Sequence, residues 1–488
     1  MTVRLRELLP DQPGIPDLEI AGLALDSRQV ASGDLFIALR GERHDGHAHA
    51  PEAARRGAAA VLADRPIPGL AVPVMVVAEL RNRLGALAAR FYGEPARDLY
   101  CIGVTGTNGK TSIAHYLADL ASRLGRPAGY IGTIGWGRVG ALEPVALTTP
   151  DAITVQRQLA GLRDRGCRWA VLEASSHALA QDRVREVPFR AAVFSNLTRD
   201  HLDYHGDMAS YGAAKARLFA WPGLELAVIN ADDVFGRSLA RGVARDVRVL
   251  VYGGAHAEGV ASSATRIGWS DLAFDAEGAT GRWRTPWGEQ PFRLPVHAEF
   301  SVANVAAALG VLCADGVSLA AFNAAAAGLA QVPGRMEFFR VAGRPAVVVD
   351  YAHTPDAVAQ VLATLRPRVR GRVVCVIGCG GDRDVGKRPL MAAAAERGAD
   401  VIWLTSDNPR SEAPGTIIAD MRTGLSGRAR VHEETDRRAA IAGALAEAGA
   451  EDLVLVAGKG HEEYQEIGGV RSPFSDRAVV AELLREAC

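Results

Sequence analysis

Short apolar runs alternate with amphipathic stretches along most of the chain. Runs at 34–39 and 59–63 predict strands, and 51–57 between them predicts a helix closed by glycine. Phe91-Tyr92-Gly93-Glu94-Pro95 breaks the helix that follows and closes a first block, 1–93. In a second block, 94–332, predicted strands at 99–104, 168–173, 191–195 and 226–230 alternate with predicted helices at 112–124, 153–165 and 208–219. Such alternation implies a parallel sheet covered by helices. From 267 to 292 the pattern becomes rich in Trp, Gly and polar residues and predicts an antiparallel excursion, before a helix at 303–312. A third block, 333–488, opens at Pro333-Gly334-Arg335. It repeats the rhythm with strands at 346–350, 372–377, 401–405 and 453–457 and a helix at 356–365. The expected fold class is therefore α/β, in three domains.

Length and composition agree with this. A chain of 488 residues is too long for one ordinary domain, and its 48% hydrophobic content supplies several cores. The 55 basic and 56 acidic residues nearly cancel, so charge gives no sign of nucleic acid or an acidic membrane surface as partner. Six scattered cysteines do not form a disulfide framework. Cys375 and Cys379 are close, with metal binding or packing as alternatives, and packing is favoured because no second Cys/His pair accompanies them. The first ten residues do not resemble a signal peptide, and no stretch has the apolar length of a membrane span. A cytoplasmic protein without membrane insertion is expected.

The chemistry begins at Val104-Thr105-Gly106-Thr107-Asn108-Gly109-Lys110-Thr111, between a predicted strand and a predicted helix. Backbone N–H groups at such a helix start wrap an anion, and the helix dipole favours it. Lys110 would reach the outer phosphates and the Thr111 hydroxyl would ligate Mg²⁺. The pattern departs from the usual loop at its first glycine position, which is Val104. The alternative is a tight turn with a surface lysine.

Strand ends carry the remaining candidates, as ligand sites in open α/β sheets do. They are Glu173-Ala174-Ser175-Ser176-His177, Asn196-Leu197-Thr198-Arg199-Asp200-His201-Leu202-Asp203-Tyr204-His205-Gly206, Asp350-Tyr351-Ala352-His353, Gly378-Cys379-Gly380-Gly381-Asp382-Arg383, Ser406-Asp407-Asn408-Pro409-Arg410 and Gly458-Lys459-Gly460-His461-Glu462. In a parallel sheet Glu173 and His201 would share the rim of Lys110. For Asp200, His201, Asp203 and His205 the alternatives are a polar loop, a zinc site, or a share in a Mg²⁺ site. Mg²⁺ is favoured because zinc would not explain the phosphate loop. His44, His47 and His49 are read as a solvated loop.

These motifs, with Gly334-Arg335-Met336-Glu337 and in this order from about residue 26 to 476, resemble the Mur ligase family of ATP-dependent amide ligases that build cell-wall peptide. The resemblance implies a small α/β UDP-substrate-binding domain at 1–93, a central P-loop-type parallel-sheet ATPase domain at 94–332, and a C-terminal Rossmann-like amino-acid-binding domain at 333–488. It implies ATP, a UDP-N-acetylmuramoyl-L-alanyl-D-glutamate acceptor, meso-2,6-diaminopimelate, an acyl-phosphate intermediate, Mg²⁺, and a monomer. Lys110, Glu173, His201 and Lys215 match catalytic positions. Thr111, Glu173, His201 and Lys215 match metal ligands, Lys215 as a CO₂-derived carbamate. Gly106, Thr107, Asn108, Gly109, Lys110, Thr111, Asn304, Arg335 and Asp350 match ATP contacts. Ser27, Thr148, Thr149, Ser175, Gln181 and Arg183 match contacts to the muramoyl-dipeptide. Arg388, Asp407, Asn408, Pro409, Arg410, Gly458 and Glu462 match the diaminopimelate site.

From the residues alone, Lys215 is a helix-face lysine, Asn304 a possible helix cap, Arg335 a possible surface pair and Asp350 a strand end. Arg410 has a physical reason to discriminate, since its guanidinium can fork onto the distal carboxylate that lysine lacks. Leu147 replaces the asparagine that often precedes the paired threonines, and the loop Gly41-Glu42-Arg43-His44-Asp45-Gly46 keeps only its glycine and Asp-Gly frame. Two rival functions are a folylpolyglutamate-type ligase and a P-loop switch driven by nucleotide hydrolysis.

Overall fold

In the computed structural model, which describes residues 2–41, 45–254, 265–275 and 277–486, the apolar runs become strands and the amphipathic stretches between them become helices. The chain divides into two units, Met1–Gly103 with Gly125–Ala192 and Ala220–Glu225, and Val104–Leu124 with Val193–Phe219 and Leu226–Cys488.

The first unit holds a four-stranded parallel sheet in the order Gly22–Ala24, Asp34–Ala38, Ala60–Ala63, Val74–Val76. Helix Leu80–Phe91 turns Leu80, Leu84, Leu87 and Phe91 onto it, at the spacing of one helix face, in a core that also takes Ala152 and Ile153. Strand Trp169–Glu173 runs parallel to Ala128–Gly132, which continues antiparallel into Gly135–Arg138 and Ala141–Glu143. Strand Ala128–Gly132 was not expected, because its two glycines hide the β pattern.

In the second unit, Leu226–Asn230, Arg248–Tyr252 and Thr265–Phe274 run parallel. Ala279–Thr285 and Gly288–Leu294 then follow antiparallel, as the change of composition predicts. The expected helix at 208–219 is an α-helix only over Met208–Ala216 and tightens to a 3₁₀ turn over Arg217–Ala220. A six-stranded sheet has the order Glu337–Phe339, Ala346–Asp350, Leu453–Ala457, Val373–Ile377, Val401–Thr405, Arg430–Glu434, all parallel except the first pair. The four central strands coincide closely with the expected ones. The outer strand Arg430–Glu434 was missed because it is half-exposed and polar, as an edge strand can be. No helix among the described residues is long and apolar enough to cross a membrane.

Candidate active site

Strand Tyr100–Thr105 leads through the glycine loop into helix Lys110–Arg123. Gly106 has φ 144°, and a Cβ there would lie 1.9 Å from Ser195 Oγ, so only glycine fits. The loop is held by the next strand end. Thr107 N donates to Asn196 O at 2.8 Å, Asn108 N to Asn196 Oδ1 at 2.9 Å, and Thr198 N to Thr107 Oγ1 at 3.0 Å. Asn196 and Thr198 were quoted within a motif but given no role. Their bonds to the loop are tertiary and leave no local signal.

Two lysines converge on one oxygen: Lys110 Nζ donates to Gly106 O at 2.9 Å and Lys215 Nζ to the same atom at 2.7 Å. Lys215 is buried, its ammonium 4.3 Å from the centre of the Tyr211 ring. Burial, with the charge of Lys110 added to it, pushes the Lys215 amine well below its ordinary range.

His201 opens helix Leu202–His205 at φ 53°, with Nε2 3.4 Å from Asp200 Oδ2. Asp200 also lies 3.6 Å from His353 Nε2 and 3.8 Å from Lys387 Nζ. Burial alone would push its carboxyl up, but the His353 bond and the charges of His201, His353 and Lys387 outweigh it and hold the group well below the usual range. Arg335 Nη2 donates to Thr111 Oγ1 at 3.2 Å, and its guanidinium lies 4.1 Å from the Tyr351 ring centre. Asp350 accepts from Met336 N at 2.7 Å, and burial raises its pKa. Lys110, Thr111, His201, Lys215, Arg335 and Asp350 thus belong to one connected region of the second unit.

Asn304 lies on helix Glu299–Ala314, where a Cβ on Gly109 would come 2.8 Å from its Oδ1. It lines a cavity of about 650 Å³ together with Asn196, Asn230, Trp269, Glu299 and Arg368. It is not a helix cap, because it sits a turn inside the helix.

The amino-acid candidates gather at the ends of strands Val401–Thr405 and Leu453–Ala457. Asn408 Nδ2 donates to Glu462 Oε2 at 2.8 Å. Gly458 has φ 117°, and a Cβ on it would lie 2.7 Å from Asp407 Oδ2. Pro409 holds its carbonyl where a Cβ on Gly381 would meet it at 1.9 Å. Arg410, at φ 55°, gives Nη1 to Gly381 O at 2.6 Å. Arg388 is committed further: Nη1 binds Asp420 Oδ2 at 2.8 Å and Nη2 binds Glu412 Oε1 at 2.7 Å.

In the first unit, Glu173 accepts from Tyr130 Oη at 2.5 Å, Thr133 N at 2.8 Å and Thr133 Oγ1 at 3.0 Å. Thr148, Thr149, Ser175, Gln181 and Arg183 gather around it. Thr148 Oγ1 lies 3.1 Å from Thr133 Oγ1, whose proton goes to Glu173, while Thr149 Oγ1 donates to Glu173 O at 2.5 Å and Ser175 N to Thr149 Oγ1 at 3.1 Å. Arg183 bonds Thr149 O at 2.9 Å and Gln181 Oε1 at 2.5 Å. Ser27 Oγ donates to Glu52 Oε2 at 2.7 Å, apart from that group.

Of the histidines expected in a solvated loop, His49 is exposed, whereas His47 is not. His47 is buried rather than solvated, with Nδ1 2.6 Å from Asp45 Oδ1 and Nε2 2.9 Å from Asp64 Oδ1. Two carboxylates offset the loss of water at the imidazole. Glu42, Arg43 and His44, in the loop that keeps only its glycine and Asp-Gly frame, lie outside the described residues. Cys375 and Cys379 are both buried in packing, and burial pushes each thiol up to about 12. Among the described residues, no three His, Cys, Asp or Glu side chains group as a metal cage.

Residues 19–92 match the Mur ligase family catalytic domain, 104–312 the Mur ligase middle domain, and 334–460 the Mur ligase glutamate ligase domain. The chain belongs to the Mur ligase family. It is 50% identical to the UDP-N-acetylmuramoyl-L-alanyl-D-glutamate–2,6-diaminopimelate ligase of Chromobacterium violaceum, over 98% of this chain and 96% of that one. It is 47% identical to the Pseudomonas aeruginosa ligase of the same name, over 98% and 97%. A solved structure of a ligase of that name is 39% identical, with TM-score 0.68 over 100% of this chain and 99% of that one. Thermotoga maritima MurF in complex with ADP, 22% identical with TM-score 0.67 over 95% and 96%, shares the Mur ligase fold.

Proposed function

We propose that this Mur ligase joins meso-2,6-diaminopimelate to UDP-N-acetylmuramoyl-L-alanyl-D-glutamate at the expense of ATP. The observation that carries the assignment is the meeting of Asp407–Arg410 with Gly458 and Glu462 at two neighbouring strand ends. It stands on a chain about half identical to ligases of that name over nearly its whole length.

A carboxylate oxygen of the dipeptide's glutamate attacks the γ-phosphorus of ATP, and ADP leaves with the bridging oxygen. The acyl phosphate formed is attacked at carbon by a neutral amine of diaminopimelate. The tetrahedral adduct expels phosphate and the nitrogen loses a proton. Positioning and charge neutralisation do most of the work in the first step. Helix Lys110–Arg123 points its N-terminus at the phosphates, and Lys110 exchanges the carbonyls of Gly106 and Thr107 for phosphate oxygens. Asn304 offers its amide to adenine from the cavity wall, and Asp350 faces the ribose.

Mg²⁺, when bound, neutralises phosphate charge. The donors would fit it once Lys215 is a carbamate, which would replace a cation with oxygen ligands and add them to the Thr111 hydroxyl and His201 as its holders. Burial and the charge of Lys110 favour the neutral Lys215 amine, the form that adds to CO₂, giving carbamate and a proton. The muramoyl-dipeptide contacts are assigned to Ser27, Thr148, Thr149, Ser175, Gln181 and Arg183. Arg410 takes the distal carboxylate of diaminopimelate and Glu462 its distal ammonium, while Arg388 fixes the helix Lys387–Gly398 beside them through Glu412 and Asp420.

The test is phosphate release with ATP, Mg²⁺ and the UDP-muramoyl-dipeptide, with meso-diaminopimelate, L-lysine or no amine. Release with diaminopimelate alone, with a tripeptide product by mass, supports the assignment. Release with lysine overturns the specificity, and no amine-dependent release overturns the ligase.

A further inference from the structure

Between Gly458 and Glu462 the chain buries a lysine that no step above uses. Lys459 is fully buried, and its two glycine neighbours both have left-handed backbone, Gly458 at φ 117° and Gly460 at φ 54°. A Cβ on Gly460 would stand 2.7 Å from Gly334 O. The turn is therefore tight on both sides. Lys459 Nζ donates to Glu462 Oε2 at 2.8 Å and to Asn408 Oδ1 at 3.1 Å, and lies 4.0 Å from Asp407 Oδ1.

This closes a ring of contacts. Asn408 Oδ1 also accepts from Glu466 N at 3.0 Å, so the oxygen is fixed by two donors and the amide Nδ2 must face Glu462 Oε2. Glu462 Oε2 thus takes two hydrogen bonds. Its other oxygen, Oε1, has no hydrogen-bond partner among the described residues, and the side chain keeps 17% exposure. Without Lys459, the Asp407 and Glu462 carboxylates would be left with the buried Arg437, itself paired with Asp476, for counter-charge, and like charges so placed repel. With it, the three side chains sum to one negative charge beside the open Oε1 of Glu462.

We propose that Lys459 is the positioning residue that makes this pocket selective for a distal ammonium on the incoming amino acid; the inference rests on the diaminopimelate assignment above. Arg410 reads the distal carboxylate, and the Lys459–Asn408–Glu462 ring reads the ammonium beside it. Lysine suits the task because its ammonium has three donors and no acceptor. It can orient both partners without competing for the substrate cation.

The experiment compares meso-diaminopimelate with 2-aminopimelate, which has the same reacting amine and distal carboxylate and lacks the distal ammonium. Wild type must first show diaminopimelate-dependent phosphate release; failure there overturns the ligase assignment itself. In Lys459→Met the KM for diaminopimelate is expected to rise about tenfold, from loss of one charge-assisted contact in the ring. The KM values for 2-aminopimelate and ATP stay within about twofold. Lys459→Arg, which keeps the charge, recovers part of the discrimination. If Lys459→Met does not fold, Lys459→Gln is measured in the same way. An equal change for both amino acids, no change for either, or loss of fold in both neutral variants overturns the proposal and leaves Lys459 a core-building residue.

Discussion

Lys215 is the side chain whose surroundings add most to its sequence context. On helical periodicity it is one lysine on a short helix. In the fold it is buried, and it shares the Gly106 carbonyl with Lys110. Burial and that second cation both disfavour its charge, which supports the proposed uptake of CO₂ by the amine. Stripping CO₂ from the solutions is expected to lower turnover at least severalfold, and added bicarbonate to restore it, while Lys215→Met stays inactive in both. Turnover that ignores CO₂ would remove the carbamate from the scheme. His115, in the helix after the phosphate loop, gives a prediction for stability. Burial lowers its pKa from 6.5 to about 4 against the opposing charge of Asp119. The native imidazole stays neutral while the unfolded one takes a proton below pH 6.5, so stability is full above that pH and falls as the pH drops towards 4. The loss is roughly 3 kcal/mol. Urea unfolding at a series of pH values should show that loss in wild type and a flatter profile in His115→Leu; equal slopes would contradict it.

Among the elements, the strand ends of the six-stranded sheet depend on a pair that is fully buried. Arg437 begins helix Arg437–Glu447 and Asp476 begins helix Asp476–Glu486, and they meet through two bonds of 2.8 and 2.7 Å. The same guanidinium donates to Ser406 O at 3.1 Å and Ala457 O at 2.9 Å, the residues just before Asp407 and Gly458. Arg437→Met leaves a buried carboxylate and two buried carbonyls without their partner. It is expected to cost about 3–5 kcal/mol by denaturant unfolding. Arg437→Met with Asp476→Leu regains much of the stability yet still raises the KM for diaminopimelate, because the carbonyls stay untied. A single variant costing under about 1 kcal/mol would show the pair to be dispensable. This pair also marks the limit of what the sequence reveals. The central strands and their polar ends are legible because apolar runs of five or six residues stop abruptly at Asp350, Ile377, Thr405 and Ala457. The phosphate loop is legible because its glycines and lysine are local, even with Val104 at the first position. Arg437 with Asp476, Asn196 with Thr107, and Lys459 with Asn408 are not legible, since each joins residues far apart in sequence or depends on a burial that a polar residue does not advertise.

At the scale of the molecule, the second unit brings the phosphate loop and the strand ends proposed to bind the amine into one body, so the proposed chemistry requires polar contacts between loops from its middle and last segments. Such contacts are present among the described residues. Arg335 bonds Thr111, Arg199 meets Asp384 at 3.1 Å, and Asp200 faces both His353 and Lys387. They differ in burial, and that decides their weight. Arg199 is half-exposed, and an ion pair of that kind contributes under about 1 kcal/mol. Asp200 is 8% exposed, and its removal leaves His353 and Lys387 without their shared counter-charge. Asp384→Ala is therefore expected to change kcat/KM by no more than a few-fold, and the small change to shrink further in high salt. Asp200→Asn, with the same shape and no charge, should lower kcat at least tenfold. It should leave the KM for ATP nearly unchanged, because the lost interaction sets the approach of the two loops rather than nucleotide binding. Phosphate release at saturating diaminopimelate measures both. Equal losses in the two variants would mean that the exposed pair, and not the buried carboxylate, governs how the loops meet.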